Sequence, residues 1–198
     1  MINHELLLEY GGEVKTYESG ERILNEGERA EYFYQVVTGQ VKMNNFNEDG
    51  KEYIQGLFSA GKSFGEPPLF GNFKCPANAE AISKVEIIRL KRDDFFQLLK
   101  ENPDVHLEVT TILAERLHYK AIMVSEISSN EPEHRILRLL DYLKEQFAPY
   151  KQAFSYEVKL TRQQIGDLTG LRVETVIRTI KTLEIKGEVE IRKRKVYR

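Results

Sequence analysis

Residues 161–183 read TRQQIGDLTGLRVETVIRTIKTL, two short helical patterns hinged at a glycine. Thr161 followed three residues later by Gln164 has the spacing of a capping box, in which each side chain satisfies an amide that the first helical turn leaves without a partner. Ile165 and Leu168 give the helix that begins there an apolar stripe, and Gly170 can adopt the left-handed backbone that ends a helix. Beyond the turn, Val173, Val176, Ile180 and Leu183 recur at intervals of three and four and share one side of a second helix. Glu174, Arg178 and Lys181 share the other. The pattern predicts a helix-turn-helix. Its polar face has two readings. One is a solvated ion pair between Glu174 and Arg178, four residues apart. The other is a base-reading edge, because a guanidinium can donate twice to guanine and a carboxylate can accept from the amino group of cytosine.

The surroundings favour the second reading. Gly187 ends the helix, and residues 188–198, EVEIRKRKVYR, alternate like a small hairpin with Arg192, Lys193, Arg194 and Lys195 near its tip. A charge run is usually a solvated loop, but one placed directly behind a two-helix reader can hold phosphates while the helix meets bases. The charge is also unevenly distributed along the chain. Residues 1–130 carry a net of −7 and residues 131–198 a net of +5, so an acidic body bears a basic terminal module.

The segment LTRQQIGDLTGLRVETVIRTIKTLE, residues 160–184, resembles the winged helix-turn-helix of the Crp/Fnr family, the bacterial catabolite-activator and fumarate-nitrate regulators. The resemblance implies that Glu174 and Arg178 contact a G:C pair in each half-site and that Thr161, Arg162 and Gln163 touch phosphates. Arg172, Val173, Thr175, Lys181 and the wing residues Arg192, Lys193 and Arg194 complete the expected DNA-contacting set. Val173 stands where catabolite activators carry a base-reading arginine, and the run Val173-Glu174-Thr175 is closer to the fumarate-nitrate branch, which implies a TTG-type half-site. Ile177 departs from the small or hydroxyl residue usual in either branch.

Toward the N-terminus, residues 3–10, NHELLLEY, read as a short amphipathic helix closed by Gly11-Gly12. From Val14 to Leu90 the texture is short apolar runs: 14–17, 22–24, 32–37, 40–44, 53–58, 77–82 and 86–90, separated by glycine-containing turns. Regularly spaced short strands imply an antiparallel β-roll or jelly roll. The stretch resembles the cyclic-nucleotide-binding domain of Crp/Fnr proteins through Gly20-Glu21, Glu26-Gly27, YFYQVVTGQVK at 32–42, Asp49-Gly50-Lys51 and Phe64-Gly65-Glu66. The resemblance places a phosphate-binding cassette at FGEPPLF, residues 64–70. Cys75 and Pro76 fall where cyclic-nucleotide binders carry an arginine and its neighbouring serine. Loss of that guanidinium removes the main countercharge to a cyclic phosphate, and proline has no N–H to donate. Pro67 and Pro68 remove further amides, so cyclic AMP is not expected to be a tight ligand. The expected effector set is Gly65, Glu66, Pro67, Cys75, Pro76, Arg116 and Lys120. Gly65-Glu66 also has a plain reading as a tight turn retained for barrel geometry. For Cys75, small-residue packing competes with a redox role.

Residues 93–100, DDFFQLLK, begin with an N-cap signal and read as a helix ending near Asn102-Pro103. From Asp104 to Ser128 a longer helix carries Leu107, Thr110, Ala114, Leu117, Ala121 and Val124 in alternating steps of three and four, a heptad seam for a second copy of the chain. Val109, Ile112, Leu113 and Met123 lie off that seam and are free to pack on the barrel. In the family this helix is the dimer interface and presents hydroxyl groups to the purine, where this chain has Lys120 and Ala121. Ser128 to Pro132 reads as a polar hinge, residues 133–147 as a helix with Ile136, Leu137, Leu140 and Leu143 on one face, and Tyr156, Val158 and Leu160 as a short strand.

The chain of 198 residues is thus expected to be α+β, with a β-roll effector domain over 1–103, a dimerisation helix and hinge over 104–130, and a winged helix-turn-helix over 131–198. A single cysteine leaves neither an internal disulfide nor the four thiolates an iron-sulfur cluster requires, and four histidines without ligand spacing suggest no metal. A cupin-type enzyme, the rival use of such a roll, needs clustered histidines, whereas none lies between His4 and His106. No charged segment followed by an apolar run opens the chain, and no run of about 18 apolar residues exists, so a cytoplasmic protein with no membrane partner is expected. The expected partners are double-stranded DNA read as a palindrome by a homodimer and, by resemblance, RNA polymerase. A small-molecule effector of unknown identity fits this scheme. The alternative is a ligand-independent DNA binder whose sensory half is only a dimerisation scaffold.

Overall fold

The computed structural model describes residues 2–50, 52–128, 131–148 and 152–198, with the side chains of 122–128, 146 and 147 left aside. The chain opens with helix α1 (His4–Glu9), capped by the Asn3 side chain. The strands β1 (Glu13–Tyr17), β2 (Arg22–Leu24), β3 (Tyr32–Thr38), β4 (Gln40–Phe46), β5 (Glu52–Ser59) and β6 (Ser63–Phe64) follow. Helix α2 (Pro67–Gly71) then leads to β7 (Asn78–Ala81) and β8 (Val85–Lys91). Helices α3 (Arg92–Glu101) and α4 (Pro103–Ser128) complete this part of the chain. The strands form two antiparallel sheets, in the orders β1-β8-β3-β6 and β2-β7-β4-β5. This is the expected roll.

Alternation along β3 makes two cores from one strand, since successive side chains leave opposite faces. Tyr34 and Val36 face Leu24, Val41, Phe64, Cys75, Ala79, Ala81, Val85 and Ile87 in the interior of the roll. There Tyr34 stacks on Phe64 with ring centroids 5.3 Å apart, and Phe58 tilts onto Phe64 at 5.9 Å. Phe33, from the other face, meets Ile88 and Leu90 of β8 together with Leu7, Phe95, Leu98, Leu99 and Val109 of the helices. Phe33 and Phe95 are stacked at 4.4 Å. Val109 is buried and Leu113 packs against this cluster, which is the expected role of the off-seam residues. Met123 and Val124 lie outside the described side chains.

Several expectations needed correction. The N-cap of α3 is Lys91 rather than Asp93, because β8 runs directly into the helix and the Arg92 amide is engaged by the Glu31 carbonyl. Asp93 and Asp94 sit instead in the first turn, where carboxylates meet the positive end of the helix dipole. Within FGEPPLF, Pro67 and Pro68 occupy the first turn of α2, where an amide has no intrahelical partner to lose.

Compact units divide within α4, one reaching Ala114 and the other spanning Glu115–Arg198. The expected divisions stood at 104 and 131, and two residues of the expected hinge, Ser129 and Asn130, lie outside the described residues. The second unit contains α5 (Pro132–Phe147), α6 (Arg162–Thr169), α7 (Val173–Ile185), β9 (Glu190–Arg192) and β10 (Lys195–Tyr197). In α5 the buried face is Ile136, Leu139 and Leu140, so Leu139 takes the place expected for Leu137, which is half-buried. The expected strand at 156–160 is reduced to a bridge, with the Val158 amide donating to Val196 and Tyr156 exchanging bonds with Arg198.

Phe95→Ala removes the fully buried ring that stacks on Phe33 and opens a cavity in the cluster it shares with Phe33, Leu90 and Leu98. Urea unfolding followed by circular dichroism is expected to show a loss of about 3–5 kcal/mol. A loss below about 1 kcal/mol would contradict the packing described.

Candidate nucleic-acid interface

Helix α6 begins with both halves of a capping box. The Gln164 amide donates to Thr161 Oγ1 at 3.1 Å, and the Thr161 amide donates to Gln164 Oε1 at 2.9 Å. The helix ends at Gly170, whose φ of 70° is the left-handed backbone expected there. Gly166 was not singled out from the sequence, yet a Cβ at that position would stand 2.8 Å from the Leu171 carbonyl oxygen. The turn therefore folds back on a residue that must lack a side chain. The only trace of this in the sequence is a glycine inside an otherwise helical pattern.

Helix α7 is anchored by Val176, Ile180 and Leu183, all essentially buried, with Thr179 buried beside them and Val173 half-buried. Its C-terminus closes as a Schellman motif, with Glu188 N–H donating to Leu183 and Gly187 N–H to Glu184. Anchoring one side turns the other outward. Glu174, Ile177, Arg178, Lys181, Thr182 and Ile185 line an open depression of about 450 Å³. Among the described residues Glu174 and Arg178 form no ion pair with each other, so the plain reading of this face is not realised. Arg172 is exposed at the N-cap, Thr175 half-buried in the first turn. Of the expected phosphate contacts on α6, Thr161 is occupied in its cap and Gln163 donates to Asp167 Oδ1 at 2.8 Å. Arg162 is half-buried, and desolvation pulls its guanidinium below the usual range.

The wing is the expected hairpin, pairing Lys195 with Arg192 across a two-residue turn. The turn residues Lys193 and Arg194 have φ of 48° and 67°, a left-handed backbone that costs about 1–2 kcal/mol per non-glycine residue. Both are exposed at the tip. Arg192 is instead bidentate on Glu190, whose carboxyl it holds below the usual range, and lies 4.8 Å over the Tyr197 ring. Lys195 pairs with Glu157 at 2.5 Å. Of four cations in the run, two are held by neighbours and two are presented.

The expected effector residues fall in two places. Gly65 and Glu66 are buried where β6 meets α2, and Pro67 is exposed. Cys75 is buried in the interior of the roll, its amide donating to Glu28, and burial pushes its thiol up, with Glu28 adding to the effect. That is the environment of a packing residue rather than a reactive thiol. The Pro76 carbonyl accepts from the Asn45 side chain at 2.7 Å. Arg116 and Lys120 belong to the second unit, where Tyr119 stacks on Tyr142 at 3.7 Å and partial desolvation, with the Arg116 charge adding, pulls the Lys120 amine down. The seam is open: Leu107 is 66% and Leu117 70% exposed, and Thr110, Ala114 and Ala121 are exposed as well. Among the described residues no helix is long and apolar enough to cross a membrane, and no group of three or more His, Cys, Asp or Glu could hold a metal ion.

Residues 14–102 match the model of the cyclic nucleotide-binding domain, and residues 134–198 match the Crp-like helix-turn-helix domain. The chain belongs to the Crp/Fnr family. It is 34% identical over 173 residues to the cAMP-activated global transcriptional regulator CRP of Pasteurella multocida, covering 86% of this chain and 82% of that one. FixK2 from Bradyrhizobium japonicum superposes with a TM-score of 0.75 at 25% identity, covering 94% of this chain and 91% of that one. The c-di-GMP responsive regulator CLP of Xanthomonas campestris shares the fold at a TM-score of 0.75 and 21% identity, covering 98% and 96%. This Crp/Fnr chain is accordingly a Crp-like transcription regulator with a DNA-binding helix-turn-helix.

The double left-handed turn yields a stability prediction. Replacing Lys193-Arg194 by Asn-Gly, residues that take this backbone readily, should raise thermal stability by about 1 kcal/mol. Calorimetry on the two proteins checks it, and an unchanged or lower melting temperature would contradict the strained turn.

Proposed function

We propose that the protein is a sequence-specific regulator that binds a palindromic DNA site as a homodimer, reading a G:C pair in each half-site through Glu174 and Arg178. The observation that carries this reading is a polar helix face held outward with its carboxylate and guanidinium not spent on each other. Lys181 extends that face, and Arg162, Arg172, Lys193 and Arg194 supply phosphate contacts around it. Arg192 serves the DNA less directly, by bracing the wing against Glu190 and Tyr197.

By role, residues 1–103 form the effector domain, 104–130 the dimerisation helix and hinge, and 131–198 the reader. The seam of Leu107, Thr110, Ala114, Leu117, Ala121 and Val124 joins two copies, which sets two reading helices about 34 Å apart, one helical turn of DNA. An effector biases the helix pair between two arrangements, one of which has this spacing. That effector is not cyclic AMP, although the relative from Pasteurella multocida is named as cAMP-activated. Support comes from the cassette: Cys75 offers no cation and spends its amide on Glu28, Pro76 has no N–H, and three aromatic rings fill the roll. The effector needs no metal or iron-sulfur cluster, and the protein is not an enzyme. It acts in the cytoplasm, on DNA and RNA polymerase.

A gel shift on a TTG-type palindrome is expected to show Arg178→Ala losing about ten-fold or more in specific affinity, with added cyclic AMP leaving the wild type unchanged and affinity falling steeply as salt rises. Equal affinity of both proteins for site and scrambled duplex would remove the base-reading role. Light scattering after size exclusion should give a dimer for the wild type and a monomer for Leu117→Glu, because a carboxylate at the seam is left buried without a partner. A wild-type monomer at micromolar concentration would end the dimer reading.

A further inference from the structure

Ile177 is an apolar side chain set between charged groups on the outward face of α7, which carries a second exposed apolar residue, Ile185, at its far end. Ile177 is 44% exposed and stands among Glu174, Arg178 and Lys181. The face does not need it for folding: the interior side of α7 is Val176, Thr179, Ile180 and Leu183, and Ile177 is not among the buried core residues. Its place between the charged groups, rather than its exposure alone, offers a partner meeting this face an apolar point of contact.

The helical period locates that partner. Glu174 and Lys181 lie nearly above one another, two turns apart, while Ile177 and Arg178 are about 100° apart around the axis and flank that line on opposite sides. A helix laid in the major groove along the Glu174–Lys181 line therefore directs Arg178 to one side and Ile177 to the other. The edges of guanine and cytosine present donors and acceptors there. Thymine alone presents a methyl group, on C5. An isoleucine side chain cannot satisfy a base donor or acceptor, but it can bury that methyl.

We propose that Ile177 reads the C5-methyl of a thymine next to the G:C pair met by Glu174 and Arg178, once in each half-site. Ile177 thereby fixes the base on one flank of the pair, while the charged residues fix the pair itself. This rests on the DNA-reading function proposed above and adds to it a second, chemically different determinant of specificity. The side chain adds no hydrogen bond and no charge, so its contribution is independent of salt, unlike that of the wing and α6 cations.

The test removes the methyl and nothing else. The duplex is one selected from a random pool by the wild-type protein, with each thymine of the half-site replaced in turn by uracil, symmetrically in both halves. For the wild type, one position is expected to lose about four-fold in affinity per half-site, the equivalent of one buried methyl. Ile177→Ala is expected to bind the thymine and uracil duplexes alike. The variant alters an exposed side chain, and an unchanged melting temperature confirms that it folds. If the wild type selects a site but no uracil position weakens it, or Ile177→Ala suffers the same uracil penalty, this proposal is overturned and the reading by Glu174 and Arg178 stands. If no sequence is enriched at all, the DNA-reading function itself fails and takes the role of Ile177 with it.

Discussion

The burial of Val176, Ile180 and Leu183 against their own unit is the constraint from which the rest of the site follows. A helix has one rotational setting about its axis, and burying that apolar stripe is worth several kcal/mol, far more than any surface ion pair. With the stripe committed, Glu174, Arg178 and Lys181 have no alternative but solvent or a partner. The tight turn transmits the same constraint to α6. Leu171 approaches so closely to Gly166 that the two helices hold one relation, closed at the start by the Thr161–Gln164 box and at the turn by Gly170.

The wing shows a different economy of charge. Four consecutive cations would repel one another along a two-stranded ribbon. Glu190 and Glu157 neutralise Arg192 and Lys195, which stay exposed, and the two turn residues carry their charge without such a partner among the described residues. Holding these in a left-handed backbone costs stability that Asn-Gly would recover. Local strain retained at such a position is intelligible where charge on the tip matters more than hairpin stability.

In the first unit, one strand serves two cores. Phe33 stacks on Phe95 outside the roll while its neighbour Tyr34 stacks on Phe64 inside it. The family likeness of residues 14–102 to a nucleotide-binding domain therefore coexists with an interior occupied by aromatic rings and by the Cys75 thiol, which burial pushes up. The family likeness lies in the sheets, and their interior is filled here by Tyr34, Phe58, Phe64 and Cys75.

Much of the architecture was legible without coordinates because it depends on spacing along the chain. The capping box, the left-handed Gly170, the three-and-four period of α7, the hairpin at 188–198 and the strand texture of 14–90 are local patterns, and each appears where its spacing placed it. What the tertiary structure alone decided involves residues far apart in sequence or a choice between equal local options. Leu137 and Leu139 are both apolar but lie on nearly opposite faces of α5, and the packing of α5 on α6 and α7 buries the second. Lys91 displaces Asp93 as cap because a strand happens to run into the helix. Spacing permits an ion pair between Glu174 and Arg178, yet none forms, and it is silent on Arg192 meeting Tyr197 or on Pro76 receiving the Asn45 amide. Periodicity specifies which side chains share a face. Which atoms then come within contact distance depends on the packing of the whole unit, and no pattern local to the chain encodes that.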